Sequence, residues 1–246
     1  MSTTQEITLL SVCIFAVALL YSSVGHGGGS GYLAAMALLG LAPKVMKPTA
    51  LILNIFVATI ATVRFGRAGC FSWRMFWPFA VASIPLAFLG GAVPLPGSIY
   101  KRVVGIVLLF AAVQLARRRQ TRTVVAEGVP IAPALACGSG IGLLSGLTGV
   151  GGGIFLSPLL LLAGWAEPKQ QAGVTAPFVL VNSIAGIGGH LASVGFLPDA
   201  VGYLVLAGAV GGTIGSGLGS RRLASQTLRY LLAVVLVIAS AKFLFA

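Results

Sequence analysis

Two glycine clusters, Gly25-His26-Gly27-Gly28-Gly29 and Gly149-Val150-Gly151-Gly152-Gly153, stand 124 positions apart, each between two hydrophobic segments. Three consecutive glycines weaken any membrane helix, because glycine is the poorest ordinary helix former. They also let backbone approach a ligand or another helix closely. If a helix begins just after each break, near Ser30 and Ile154, its unpaired N–H groups and positive dipole end can hold an anion. Two such ends brought together would form one oxyanion site. Its expected contacts are Gly25, His26, Gly27, Gly28, Gly29 and Ser30 from the first copy, with Thr148, Gly149, Gly151, Gly152 and Gly153 from the second. One cluster alone reads equally well as tight helix packing through small residues. Its repetition favours a site.

An amide inside a membrane segment can donate two hydrogen bonds to an oxyanion and accept others from its neighbours. Asn54 and Asn182 lie in the third hydrophobic segment of each half, after Thr49 and Thr175, and align once a two-residue insertion in the second copy is allowed. The plain alternative is interhelical glue worth about 1 kcal/mol. His26 interrupts the first glycine run, whereas Val150 fills the matching place in the second. Glu6, Glu127, Glu167 and Asp199 all fall at segment ends or in linkers, so no carboxylate is available deep in the bilayer. A coupled proton would then travel on His26, on His190, or on the substrate. His190 follows Asn182 by eight residues, which is roughly two turns along one helical face. Ser22, Ser23, Ser145 and Thr148 place hydroxyls just before the breaks, although such hydroxyls commonly bond back to a carbonyl of the preceding turn. Cys13, Cys70 and Cys137 stand in apolar surroundings as expected buried small hydrophobes, with no spacing for a disulfide or a metal site, and no cofactor is implied.

Positioning these residues requires membrane helices. Hydrophobic residues make up 57% and charged residues 8% of the 246-residue chain. A soluble domain of that length could not hide so much apolar surface, so the lipid bilayer must be its solvent. The net charge of +12 would suit nucleic acid. Instead, the basic residues gather at segment ends, as the positive-inside rule requires of a multi-pass protein of the inner (plasma) membrane, and no nucleic-acid partner is expected. The run from Ile7 to Leu20 lacks the preceding Lys or Arg of a signal peptide and reads as a retained membrane segment.

Apolar segments run over about 7–24, 30–42, 48–63, 75–95 and 99–116, then 131–147, 154–165, 172–193, 200–218 and 227–245. Arg117-Arg118-Arg119 with Arg122 forms a polar linker between the halves, so residues 1–125 and 126–246 are the expected repeats. The second segment of each half is short: about 13 helical residues rise roughly 20 Å, against a hydrocarbon core near 30 Å. Each glycine break therefore belongs to a broken or re-entrant hairpin. With the linker in the cytoplasm, Arg64, Arg67 and Arg74 fall on the same side. The equivalent loop around Val194 to Asp199 carries no Lys or Arg, while Arg221 and Arg222 return to the cytoplasm. Such alternation is the mark of inverted repeats, with Lys44, Lys47, Lys101 and Arg102 as misfits on the outer side. The expected fold is an all-α integral membrane protein of two inverted repeats, each with about five hydrophobic segments, giving eight to ten membrane segments.

The duplicated Gly-x-Gly-Gly-Gly, each copy followed by a short apolar segment and then by a Thr and an Asn in the next helix, resembles the TauE/SafE family of sulfite-exporter-like membrane permeases. The resemblance runs from about residue 7 to residue 245. It implies transport of small sulfur-containing anions such as sulfite or organosulfonates, with the motifs at 25–29 and 149–153, and less directly Asn54 and Asn182, at the substrate. The expected partners are a small anionic substrate and the bilayer, and a homo-oligomer is compatible with the chain. No catalytic residue is expected of a permease. Two rivals stand beside it: a passive anion channel, and an intramembrane serine protease using Ser145 and His190. Tyr21 occupies the place equivalent to Ser145, which weighs against the second.

Overall fold

The computed structural model describes residues 4–117, 129–195, 201–221 and 226–245. They form ten α-helices: α1 (Thr4–Ser22), α2 (Gly29–Leu38), α3 (Pro43–Arg67), α4 (Trp73–Ala92), α5 (Gly97–Arg117), α6 (Ile131–Thr148), α7 (Gly153–Leu162), α8 (Pro168–Ser193), α9 (Val201–Arg221) and α10 (Gln226–Phe245). Seven of them are long and apolar enough to cross a membrane, and α10 contributes a further apolar stretch over 233–245. The protein is thus an all-α integral membrane protein. The linker residues 118–122, the repeat boundary near 125, Glu127 and Asp199 lie outside the described residues.

Local sequence explains where the helices start and stop. α3 and α8 begin earlier than hydropathy alone indicates, at Pro43 and Pro168, each at the first helical position. Proline is favoured there because its missing N–H has no intrahelical partner to lose. Lys44, Lys47 and Gln171 are therefore helical residues rather than loop residues. α2 and α7 have ten residues each, a rise of about 15 Å that reaches only half way across the hydrocarbon. Both end alike. Gly40 and Gly164 take left-handed φ of 76° and 67°, and the residue after each donates its N–H back to Met36 and to Leu160. Such a stop needs a residue without a Cβ penalty.

The packing couples the two halves. α9 lies on α1, α6 on α4, α8 on α3 and α4, α9 on α3, and α10 on α5. Exchanging each helix for the one five places along the chain maps each of these pairings onto another or onto itself. The fourth helix of each half thus packs against the first helix of the other half. Two glycine stripes make these exchanges close. A Cβ on Gly211, Gly215 or Gly219 of α9 would overlap the backbone carbonyls of Phe15, Leu19 or Ser23 of α1. Likewise, Gly138, Gly142 and Gly146 of α6 lie against the carbonyls of Phe79, Ser83 and Ala87 of α4. Glycines four apart on one face bring helix backbones together where lipid supplies no hydrophobic drive. In both contacts the four-residue glycine stripe lies on the helix from the second half, and Gly90 of α4 adds one close approach to the Leu143 carbonyl from the first.

Outward faces are apolar, with Val12, Val81, Leu89, Ile106 and Val210 all exposed, as lipid contact requires. Cys13, Cys70 and Cys137 are free thiols but half-buried rather than fully buried. They sit at the rim of the packing, not within it.

Candidate functional site

The two glycine breaks meet each other. Gly29 abuts the backbone carbonyl of Val150, and a Cβ on Gly153 would lie 3.4 Å from Cδ2 of His26. Asn54 stands between the two breaks. A Cβ on Gly27 would come within 2.6 Å of its Oδ1, and one on Gly151 within 2.7 Å of its Nδ2. That Nδ2 also donates to the Gly149 carbonyl at 3.3 Å, tying a helix of the first half to the break of the second. Asn54 is fully buried near the middle of the 25-residue α3. The meeting point is therefore close to mid-membrane.

The contacts reveal how the halves correspond. Gly25 lies against Ala172 and Gly149 against Lys47; Gly27 and Gly151 both touch Asn54 and Val179. With Pro43 and Pro168 starting their helices, the structural partner of Asn54 is Val179, and that of Lys47 is Ala172. The helix starts lie 125 positions apart, one more than the 124 between the breaks, whereas Asn182 lies 128 from Asn54, so the insertion used to align the two asparagines does not occur. Asn182 sits three residues further on, and its Nδ2 is spent on the Phe178 carbonyl at 2.8 Å. The same shift pairs Thr49 with Val174 rather than with Thr175.

Between the N-termini of α2 and α7 lies a small cavity of about 10 Å³, lined in part by Tyr21, His26, Gly28, Ser30, Gly153 and Val179. Gly28 and Gly152 precede the two helices in left-handed conformation, and no side chain caps either start. First-turn N–H groups are thereby left for a ligand or water, and both dipoles present their positive ends. The Tyr21 and Ser30 hydroxyls share a hydrogen bond of 2.9 Å, and the Tyr32 hydroxyl fixes the break by donating to the Gly27 carbonyl at 2.7 Å. His26 is buried, edge-on to Tyr21 at 6.1 Å between ring centroids, with Nδ1 3.2 Å from the Val24 carbonyl. With the proton on Nδ1, the neutral ring leaves Nε2 as an acceptor; the protonated ring donates from both nitrogens. A space of this size holds about one water, so an oxyanion enters only after side chains or breaks move.

Of the expected site residues, His26, Gly27, Gly28, Gly29, Ser30 and Gly153 line this cavity, and Asn54 and Gly151 form the wall beside it. Gly25 and Gly149 instead provide close backbone crossings, and Gly152 packs against Ile141 and Phe178. The Thr148 hydroxyl bonds back to the Leu144 carbonyl at 2.6 Å, as a helical threonine tends to do. His190 lies elsewhere, in a cavity near the start of α3. Buried Oδ1 of Asn54 and of Asn182, and Oγ of Ser145 and of Ser183, have no hydrogen-bond partner. Ser145 is therefore not engaged with a base, as a serine nucleophile would be. Tyr21 and Val179 were not foreseen as lining residues. Tyr21 could have been found from its place one turn before the first break.

This geometry has relatives. The model of the sulfite exporter TauE/SafE family matches residues 10–243. The chain belongs to the sulfite exporter TauE/SafE family. It is 42% identical over 239 residues to a probable membrane transporter protein of Sinorhizobium fredii, covering 96% of this chain and 97% of that one. It is 25% identical over 194 residues to a probable membrane transporter protein of Methanocaldococcus jannaschii, covering 74% of this chain and 72% of the relative. No solved structure matches. As a TauE/SafE member the protein is a multi-pass membrane transporter, and the crossing of its two breaks is the feature around which transport has to be explained.

Proposed function

We propose that this transporter carries a small sulfur-containing oxyanion, sulfite or an organosulfonate, across the inner membrane by alternating access of two inverted repeats. The observation that carries the reading is the convergence of two uncapped half-helix N-termini, α2 at Gly29 and α7 at Gly153, on one buried space beside His26. Half-helices with their positive ends toward an anionic group are how several transporter folds hold an anion without a buried cation. Asn54 supplies an amide at the crossing, and the Tyr21–Ser30 hydroxyl pair supplies further donors. The unpartnered Oδ1 of Asn54 suits an anion that carries its own proton, since a carboxamide oxygen can accept it.

A centre with only about 10 Å³ of space favours alternating access over a permanently open channel. Among the described residues no acidic side chain lines that centre, which leaves histidine or the substrate as the proton carrier. An inside-negative potential helps an anion leave by roughly 2.3 kcal/mol per charge for each 100 mV. Export can then proceed without an ion gradient, whereas uptake of the same anion needs a coupled ion. His26 is the side chain placed to exchange a proton with the substrate.

The test is flux of radiolabelled sulfite and of a short alkanesulfonate in proteoliposomes, with the potential clamped and pH fixed. The expected outcome is saturable, voltage-driven flux that Asn54→Ala lowers about 30-fold while the protein stays folded. Flux that rises without saturation would indicate a channel. Absence of flux for both anions in folded protein would remove the substrate class.

A further inference from the structure

Near the start of α3 lies a second and much larger cavity, of about 330 Å³, that the central site does not use. Its walls include Lys44, Lys47, Val93, Tyr100, Leu147 and His190, and among the described residues no carboxylate lines it. Lys47 is buried, 7% exposed, four residues into a membrane helix. Its ammonium donates to the carbonyls of Gly90, Gly91 and Val93 at 3.1, 2.8 and 3.3 Å, at the C-terminal end of α4. These carbonyls satisfy its hydrogens and offset part of its charge through the helix dipole, while among the described residues no acid lines the cavity beside it. A basic side chain at membrane depth is costly, and is kept mainly where it faces a pathway or a partner.

The contact of α3 with the second break does not by itself call for a lysine. Ala172 occupies the structurally equivalent place in the second half and packs on Gly25 as Lys47 packs on Gly149, so that crossing closes without a cation. The cavity also touches the second break. The Tyr100 hydroxyl in its wall donates to the Thr148 carbonyl at 2.9 Å, one residue before Gly149. An anion in this space would stand one layer away from the glycine crossing.

We infer that this cavity is an outer vestibule that binds the transported class of oxyanion before or after the central site, with Lys47 as its fixed positive charge and Lys44 and His190 beside it. The inference rests on the oxyanion reading of the central site. It also accounts for two of the basic residues that fit the positive-inside rule poorly, since Lys44 and Lys47 line a cavity instead of anchoring a loop. The side-chain ammonium need not leave its carbonyls. It can attract at short range through its charge, or exchange its longest bond, to Val93, for an anion oxygen.

The experiment places a cysteine at Leu147 in a protein whose Cys13, Cys70 and Cys137 are replaced by Ala, reconstituted in liposomes. Rates of modification by an anionic thiosulfonate bearing ethylsulfonate and by a cationic one bearing ethyltrimethylammonium are compared. The expected result is an anion preference of at least about tenfold, reduced severalfold by Lys47→Met, kept by Lys47→Arg, and slowed by inert methanesulfonate. Equal rates for the two reagents, or a preference unchanged in Lys47→Met, would overturn the inference and leave Lys47 as a helix tether. Lys44→Gln, which disturbs no bond to α4, is the second variant should Lys47→Met fail to fold, and it is expected to lower the preference by about two- to threefold. Liposomes with and without anionic lipid separate a headgroup from a free anion. Protection by anionic lipid, with none by methanesulfonate, would overturn assignment to a free oxyanion. Sulfite flux measured on the same preparations keeps the two proposals apart. Intact flux without anion preference sinks only the vestibule, and anion preference without flux sinks only the central reading.

Discussion

The two glycine breaks share a backbone and differ in chemistry. Each follows a long helix, turns through left-handed glycines at Gly25 and Gly28 or at Gly149, Gly151 and Gly152, and starts a ten-residue half-helix. His26 belongs to the first break and Val150 to the matching place of the second, while between the breaks Asn54 of α3 faces Val179 of α8. A duplicated unit could have produced two equal sites. Instead the matched places carry unlike side chains, a polar one from the first half against an apolar one from the second. Symmetry supplies the scaffold and the paired helix dipoles, while divergence of a few side chains yields one off-axis site. The same division holds for Lys47 and Ala172 further out.

Substitutions at the breaks should expose this asymmetry most strongly. A Cβ on Gly29 meets the rigid Val150 carbonyl, whereas one on Gly153 meets the side chains of Val179 and Thr175 at 2.6 and 3.1 Å. Gly29→Ala is expected to lower sulfite flux about 100-fold or to unfold the protein, and Gly153→Ala about tenfold, because overpacking against backbone relaxes less than against side chains. Flux per folded protein, with folding followed by fluorescence-detected size exclusion, measures both. Equal losses would erase the distinction between the breaks.

Next in size is the amide. Asn54→Ala should reduce flux by about 30-fold, roughly 2 kcal/mol, as loss of a buried hydrogen-bonding group in a binding site typically does. Val179→Ala and Asn182→Ala should each cost about threefold or less, since one offers no polar contact and the other spends its Nδ2 on Phe178. An Asn182 effect as large as that of Asn54 would restore the alignment with a two-residue insertion. A smaller change is expected at His26. His26→Val makes the first break chemically like the second, and should lower flux about tenfold while flattening its dependence on pH. The variant should transport at high pH as the wild type does if the proton is carried by the substrate alone, which would dismiss His26 as a carrier. The smallest effect belongs to Thr148→Val. Its hydroxyl donates to the Leu144 carbonyl and accepts only a long 3.4 Å bond from the Val150 N–H, so flux should change less than about twofold and melting temperature by only a few degrees.

Much of this architecture was legible before folding was considered. The hydrophobic segments mark the helices to within a few residues. The ten-residue length of α2 and α7 follows from the shortness of the second segment in each half. Legibility fails at α3 and α8, where Pro43 and Pro168 start the helices ahead of the apolar run. That early start matters. It fixes the phase of every side chain behind it, so Asn54 falls opposite Val179 and not Asn182. Three residues are nearly one helical turn, about 4.5 Å along the axis, enough to take an amide out of the crossing. Lys47 was misjudged for the same reason: its charge suggested a loop, while the helix carries it inside.

By itself, the sequence determined what depends on neighbours in the chain: membrane burial from apolar runs, broken helices from three-glycine runs, and a shared plan from the repeat. Each is a local free energy, read residue by residue. Tertiary structure decided what depends on distant parts of the chain. It decided that α9 packs on α1 and α6 on α4, that the two breaks touch through Gly29 and Val150, and that His26 and Asn54 meet at that crossing while Lys47 and His190 line a separate cavity. Those outcomes rest on backbone surfaces that must fit across the bilayer core, where glycine faces set how closely helices approach and only a closed set of helix pairings leaves no polar group facing lipid.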